Sequence, residues 1–187
     1  MAPDRLRLFV AFDVPVEQRI RVQEAIEPLR SQLPGARWTS VESQHVTLKF
    51  IGWADTGTLG AITEATRTVA SGNHASEMRL TGIGAFPSPT RVRVLWAGID
   101  DPTGLGASLA EGLSEAMEPL GVEREERGFT PHLTLARLKF PRRVDEGVLE
   151  VDLGDLPPFP VAQVVLYRSH LSNKGARYEA IERCPLA

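Results

Sequence analysis

Apolar residues recur along this chain with two periods, one suited to strands and one to helices. The run Leu6-Arg7-Leu8-Phe9-Val10-Ala11-Phe12 predicts a strand, and Asp13-Val14-Pro15 behind it supplies helix-start chemistry. Val22, Ile26, Leu29 and Leu33 then lie on one helical stripe, which Pro28 is expected to kink or end. Residues 44–51 predict a second strand. The turn-rich residues 52–57 follow, then a second amphipathic helix marked by Leu59, Ile62, Ala65 and Val69. Residues 78–86 and 91–99 read as the arms of a hairpin around Pro87-Ser88-Pro89-Thr90.

In the second half, Leu105, Leu109, Leu113 and Met117 mark a helix closed by Pro119 and Gly121. Residues 132–138, 161–167 and 177–182 are strand candidates, with Pro157-Pro158 and Pro160 read as a loop before the second of them.

Two landmarks repeat in one order. Glu24-Ala25-Ile26-Glu27-Pro28-Leu29 returns as Glu115-Ala116-Met117-Glu118-Pro119-Leu120, 91 residues on, and His45-Val46-Thr47-Leu48 returns as His132-Leu133-Thr134-Leu135, 87 residues on. Either repeat alone is weak, since alanine and glutamate favour helices and proline stops them. Together they predict two helix-and-strand lobes related by a pseudo-two-fold axis, with the two histidine strands brought together at it.

Strand alternation puts His45, Thr47 and Lys49 on one face and Val46, Leu48 and Phe50 on the other. His132 and Thr134 likewise oppose Leu133 and Leu135. An imidazole and a hydroxyl would thus face a cleft while apolar residues hold each strand to its core. Phosphodiester chemistry needs a base for the nucleophile, an acid for the leaving oxygen and donors for the phosphoryl oxygens. Two histidines and two threonines supply that set, because an imidazole with an ordinary pKa near 6.5 serves as acid or base at neutral pH. Two histidines without a carboxylate or cysteine cluster make a poor divalent-metal site, so no metal and no cofactor is expected. His74 and His170 carry no accompanying motif and are read as surface residues.

Composition narrows the partners. The 187 residues are 42% hydrophobic and 24% charged, ordinary for a globular protein, and no apolar run approaches a membrane span. The net charge of −3 gives no general attraction for nucleic acid; if the substrate is RNA, contact should be local, at a chain end. Cys184 is the single cysteine and no export signal is visible, so a cytoplasmic, monomeric protein is expected.

The doubled His-x-Thr-x pattern resembles the 2H phosphoesterase superfamily. Residues 5–13, Phe86-Pro87-Ser88-Pro89, Val94-Leu95-Trp96-Ala97-Gly98 and Arg127-Gly128-Phe129-Thr130-Pro131-His132 are similar to its RNA 2′,3′-cyclic phosphodiesterase branch, the 2′-5′ RNA ligase-like proteins. The resemblance covers nearly the whole chain. It implies one bilobal α+β domain over residues 1–187, with two antiparallel sheets lining a central cleft and helices outside. It also implies opening of an RNA terminal 2′,3′-cyclic phosphate to a 2′-phosphate, as in tRNA and RNA processing. The partner would be such an RNA end or a small cyclic-phosphate nucleotide.

Carried over by position, His45 would be the proton donor and His132 the proton acceptor, with Thr47 and Thr134 bonding the phosphoryl oxygens. The acid and base labels exchange when the reaction runs backwards, so 2′-5′ ligation would use the same residues. Arg137 matches a basic residue after the second motif that helps bind the phosphate or terminal nucleotide, although its odd spacing from His132 turns it away from the cleft on a regular strand. Arg127 could reach back into the cleft. Among Phe9, Phe12, Trp38 and Tyr167, the last two suit a cleft wall against a base, and the others suit the core. Other cyclic phosphates, 2′-5′ oligonucleotides, or a role as a non-catalytic RNA-end or nucleotide-binding module are the alternatives.

Overall fold

A computed structural model describes residues 4–125, 128–172 and 175–187. In chain order the elements are β1 (Arg5–Phe12), α1 (Val16–Ala25), α2 (Glu27–Gln32), β2 (Arg37–Trp38), β3 (Val46–Asp55), α3 (Leu59–Ser71), β4 (Ser76–Phe86), β5 (Val92–Asp100), α4 (Leu105–Met117), β6 (His132–Arg142), β7 (Phe159–Val161), β8 (Gln163–Ser172) and β9 (Gly175–Pro185). They form two antiparallel sheets, one of order β3-β1-β8-β9 and one of order β2-β6-β5-β4-β7. This is the α+β, two-sheet architecture the sequence led us to expect.

The two halves share a connection. β1 leads through α1 to β3, its antiparallel neighbour, and β5 leads through α4 to β6, its own antiparallel neighbour. The repeated Glu-Ala-x-Glu-Pro-Leu breaks its helix at the same residue each time. Ile26 (φ −89°, ψ −2°) follows α1, and Met117 (φ −98°, ψ −14°) ends α4. Both side chains are fully buried, so this position anchors each helix end to its sheet. The copies then diverge. Pro28 sits in the first turn of α2, where its missing N–H costs nothing, and the helical path continues to Gln32 instead of stopping. After Pro119 the chain turns at Gly121, whose φ of 81° ends the path.

Helix stripes meet sheet faces as their periodicity required. Leu105, Leu109, Leu113 and Met117 are buried along α4, and Val22, Ile26, Leu29 and Leu33 along α1 and α2. Each such side chain contributes about 1.5–3 kcal/mol of hydrophobic stabilisation. A Cβ added to Gly112 of α4 would lie 3.1 Å from Val69 of α3, so the two helices touch where one of them lacks a side chain. One hydrophobic cluster includes residues of both sheets. Among the described residues no helix is long and apolar enough to cross a membrane.

Several boundaries differ from the periodicity. Asp13 does not cap α1; the Pro15 carbonyl accepts from the Gln18 and Arg19 amides, and the Asp13 carboxylate instead accepts a hydrogen bond from Tyr167 Oη at 2.9 Å. Residues 52–55 continue β3 rather than turning, because Gly52, at φ 78°, takes up a register shift that lets pairing with β1 resume. Pro160 lies within β7, which among the described residues pairs only with β4, at the end of its sheet. An edge strand tolerates a residue without an N–H. The two-residue β2, which pairs with β6, has no periodic signal at all.

Candidate active site

The two motif strands carry the same irregularity at the same place. Val10 pairs with Lys49 and Ala11 with Thr47, so Leu48 is an extra residue. Leu95 pairs with Ala136 and Trp96 with Thr134, so Leu135 is an extra residue too. A bulge of this kind reverses the faces of everything beyond it. Lys49 therefore does not join His45 and Thr47 in the cleft. It is buried, and its Nζ donates to the Glu123 carbonyl at 2.5 Å. Phe50 takes its place on the cleft face, half exposed. The equivalent residue of the second copy is Arg137, which the bulge at Leu135 turns into the cleft despite its odd spacing.

Two communicating chambers result. One, about 640 Å³, is lined by His132 and Thr130 together with Phe86, Phe129, Glu111 and Glu125. The other, about 720 Å³, is lined by His45 with Phe9, Trp38, Tyr178, Arg7 and Arg37. Thr47, Phe50, Thr134 and Arg137 line both. The shared wall thus holds both threonines and the arginine, with one histidine on either side.

Each imidazole is held from behind. His132 Nδ1 lies 2.7 Å from the Thr130 carbonyl, which can only accept, so Nδ1 carries a proton and Nε2 is the free nitrogen. The carbonyl of Ser43, also two residues upstream, does the same for the proton affinity of His45. Aromatic rings fix the planes. His45 stacks on Phe9 at 4.7 Å and meets Tyr178 edge-on at 4.9 Å, while His132 meets Phe86 edge-on at 5.1 Å. Trp96, 6.3 Å from His132, lies against Gly84, where an added Cβ would come within 2.3 Å of the indole. That strand position admits only glycine.

Burial pushes the His45 pKa down to about 4, with Arg137 and Arg19 adding to the effect and Asp13 and the Ser43 carbonyl opposing it. Burial also lowers His132, assisted by Arg137 and opposed by the Thr130 carbonyl. Folding therefore holds His45 neutral where the unfolded chain would protonate it. Between the unfolded value near 6.5 and about 4, the unfolded state binds more protons, so stability rises with pH across that window and is lost as pH falls through it. Full titration amounts to about 3 kcal/mol. Urea midpoints measured from pH 7 to pH 4 should fall less steeply in His45→Gln; an identical slope would contradict this account.

The other expected site residues are scattered differently. Trp38 lines the His45 chamber, with the Arg30 guanidinium 4.9 Å over its ring. Tyr167 does not line either chamber. It stacks on the far side of the His45 support, 5.3 Å from Phe9, and burial together with the Asp13 carboxylate raises its pKa. Arg127 lies outside the described residues. His170 pairs with Glu179 at 2.6 Å, and His74 is exposed. Sequence reasoning missed Tyr178, Arg7 and Arg37, since isolated aromatic or basic residues on strands carry no local signal. Among the described residues no group of three or more His, Cys, Asp or Glu side chains gathers with the spacing of a metal site.

Known proteins resemble this chain over nearly its whole length. A family described as LigT-like phosphoesterase matches residues 13–96 and 101–178. A protein of Methanothermobacter thermautotrophicus named RNA 2′,3′-cyclic phosphodiesterase is 32% identical over 95% of this chain and 97% of its own length. One of the same name from Archaeoglobus fulgidus is 34% identical over 93% of this chain and 97% of its length. The crystal structure of TT0787 from Thermus thermophilus superposes with a TM-score of 0.77 at 28% identity, covering 97% of this chain and 98% of that one. E. coli LigT complexed with 3′-AMP shares the fold, with a TM-score of 0.74 at 24% identity over 98% and 99% of the two chains.

Proposed function

The chain belongs to the LigT-like phosphoesterase family, and from that premise we propose that it is an RNA 2′,3′-cyclic phosphodiesterase acting by acid–base catalysis without a metal. The names of its relatives support the substrate. The mechanism rests on one observation: the wall shared by two communicating chambers holds Thr47, Thr134 and Arg137, and each chamber adds one histidine. The whole chain, 1–187, works as a single bilobal unit, since the site draws on both sheets.

With the phosphate on the shared wall, Thr47, Thr134 and Arg137 bind its non-bridging oxygens. His132 Nε2 takes a proton from water as its oxygen attacks phosphorus in line with the 3′-oxygen. The P–O3′ bond breaks, and His45 gives its proton to O3′. The product carries a 3′-hydroxyl and a 2′-phosphate, one water having been added. The proton on His45 comes with the substrate. A phosphodiester anion offsets Arg137 and Arg19, the two cations that depress this imidazole, while Asp13 already favours its charged form. A 5′-hydroxyl in the place of water would form a 2′-5′ linkage through the same residues.

The discriminating experiment incubates a 5′-labelled oligoribonucleotide ending in a 2′,3′-cyclic phosphate with the protein in EDTA. The expected product is a 2′-phosphate, resistant to a 3′-specific phosphatase. Turnover that requires an added divalent ion would defeat the mechanism. Tight binding without turnover would make the protein an RNA-end-binding module.

A further inference from the structure

The cleft is electrostatically lopsided. Among the described residues, the His45 chamber is lined by Arg7, Arg37 and Arg137 and by no carboxylate, whereas the His132 chamber sets Glu125, and a Glu111 paired with Arg124, against Arg137. Such a concentration of arginine stands out on a chain of net charge −3.

Arg37 and Arg137 are moreover direct cross-strand partners in the β2–β6 pair. Like charges in that relation destabilise a sheet unless something anionic lies between them. Among the described residues none of the three arginines forms an ion pair, although Arg5, Arg30, Arg67, Arg79, Arg124 and Arg183 each do. The Arg7 side chain donates to Ser169 Oγ at 3.1 Å, a neutral partner that leaves its charge uncompensated. The reacting phosphate sits on the shared wall and engages Arg137. Arg7 and Arg37 are surplus to it, and they share their chamber with two aromatic walls, Trp38 and Tyr178.

We propose that Arg7 and Arg37 bind the phosphodiester next upstream of the reacting group, so that this protein selects oligonucleotide ends over cyclic mononucleotides. This rests on the phosphodiesterase reading and adds a direction to it. The strand enters through the His45 chamber, with the terminal ribose and its leaving 3′-oxygen on that side. Water attacks from the His132 chamber, where Glu125 repels an incoming phosphate and Glu111 is paired with Arg124. The charge of the two chambers thus favours His45 as the acid in hydrolysis.

The test compares a dinucleotide ending in a 2′,3′-cyclic phosphate with the corresponding cyclic mononucleotide. The unmodified protein is expected to favour the dinucleotide at least tenfold in kcat/KM, and Arg7→Gln/Arg37→Gln to bring that ratio close to one. In parallel, anisotropy measures binding of a 5′-labelled trinucleotide carrying a 2′-phosphate. The slope of log K against log salt should flatten by about 0.7 for each arginine removed. A double variant that keeps the preference, or loses both substrates equally, overturns the proposal. Turnover by the unmodified protein without length preference also overturns it and leaves the phosphodiesterase reading standing. No turnover, with binding that still depends on length and on these arginines, sinks that reading and keeps the subsite.

Discussion

His45→Ala and His132→Ala are each expected to lower kcat/KM on a cyclic-phosphate RNA end by roughly 10²–10⁴-fold, the usual worth of a positioned acid or base. The double variant should be little worse than either single one, because an acid and a base acting on one phosphate work as a unit. Both imidazoles are partly buried against aromatic rings, so circular dichroism and a urea midpoint must accompany the kinetics. A variant that folds and turns over near normally would remove its histidine from the mechanism.

The pH dependence sharpens the same test. Burial lowers both histidines in the free protein, so the bell in kcat/KM should centre on the acid side of an ordinary imidazole, below about pH 6.5. Bound substrate adds negative charge beside them. The bell in kcat should therefore lie at higher pH than the bell in kcat/KM, and coincident bells would contradict the proposed source of the His45 proton.

Phe9→Ala carries the largest expected cost to stability. Phe9 is 3% exposed and lies against four other rings, His45 at 4.7 Å, Tyr178 at 5.1 Å, Tyr167 at 5.3 Å and Phe50 at 6.3 Å. Removing a buried phenyl group typically costs about 3–5 kcal/mol, or roughly 10 °C of Tm in a domain of this size. The variant should also change the chemistry. With its stacked neighbour gone, His45 admits water, and its pKa should climb from about 4 toward 6.5, visible in the ring-proton shifts by NMR. Phe9→Leu, which refills most of the volume, separates the effects: smaller loss of stability, but the same loss of the flat surface under the imidazole. An unchanged His45 titration in Phe9→Ala would show that burial by Phe9 does not set its pKa.

Much of this arrangement is written locally. The stripe through Leu105, Leu109, Leu113 and Met117 specifies a helix because its spacing matches one face, and all four are buried. His132 and Thr134 share a face because two residues separate them on a strand, and both line one chamber. The repeated helix end was legible as well, since Glu-Pro after a buried Ile26 or Met117 breaks a helix by its own chemistry.

What lay beyond the sequence depends on partners far along the chain. Alternation sends Lys49 into the cleft and Arg137 out of it; the bulges at Leu48 and Leu135 do the reverse to both. A bulge belongs to the register between two strands, and nothing in either strand's own alternation announces it. The supporting rings around His45 come from β1 and β9, and the Arg37–Arg137 pair from β2 and β6. By itself, then, the sequence determined the order of the longer elements, the helix faces and the two motif strands, because each is a matter of neighbouring residues, whereas the short β2 and β7 exist only through their pairing. The tertiary structure alone decided which residues beyond the motifs face the cleft and which charges line each chamber, because those follow from long-range pairing.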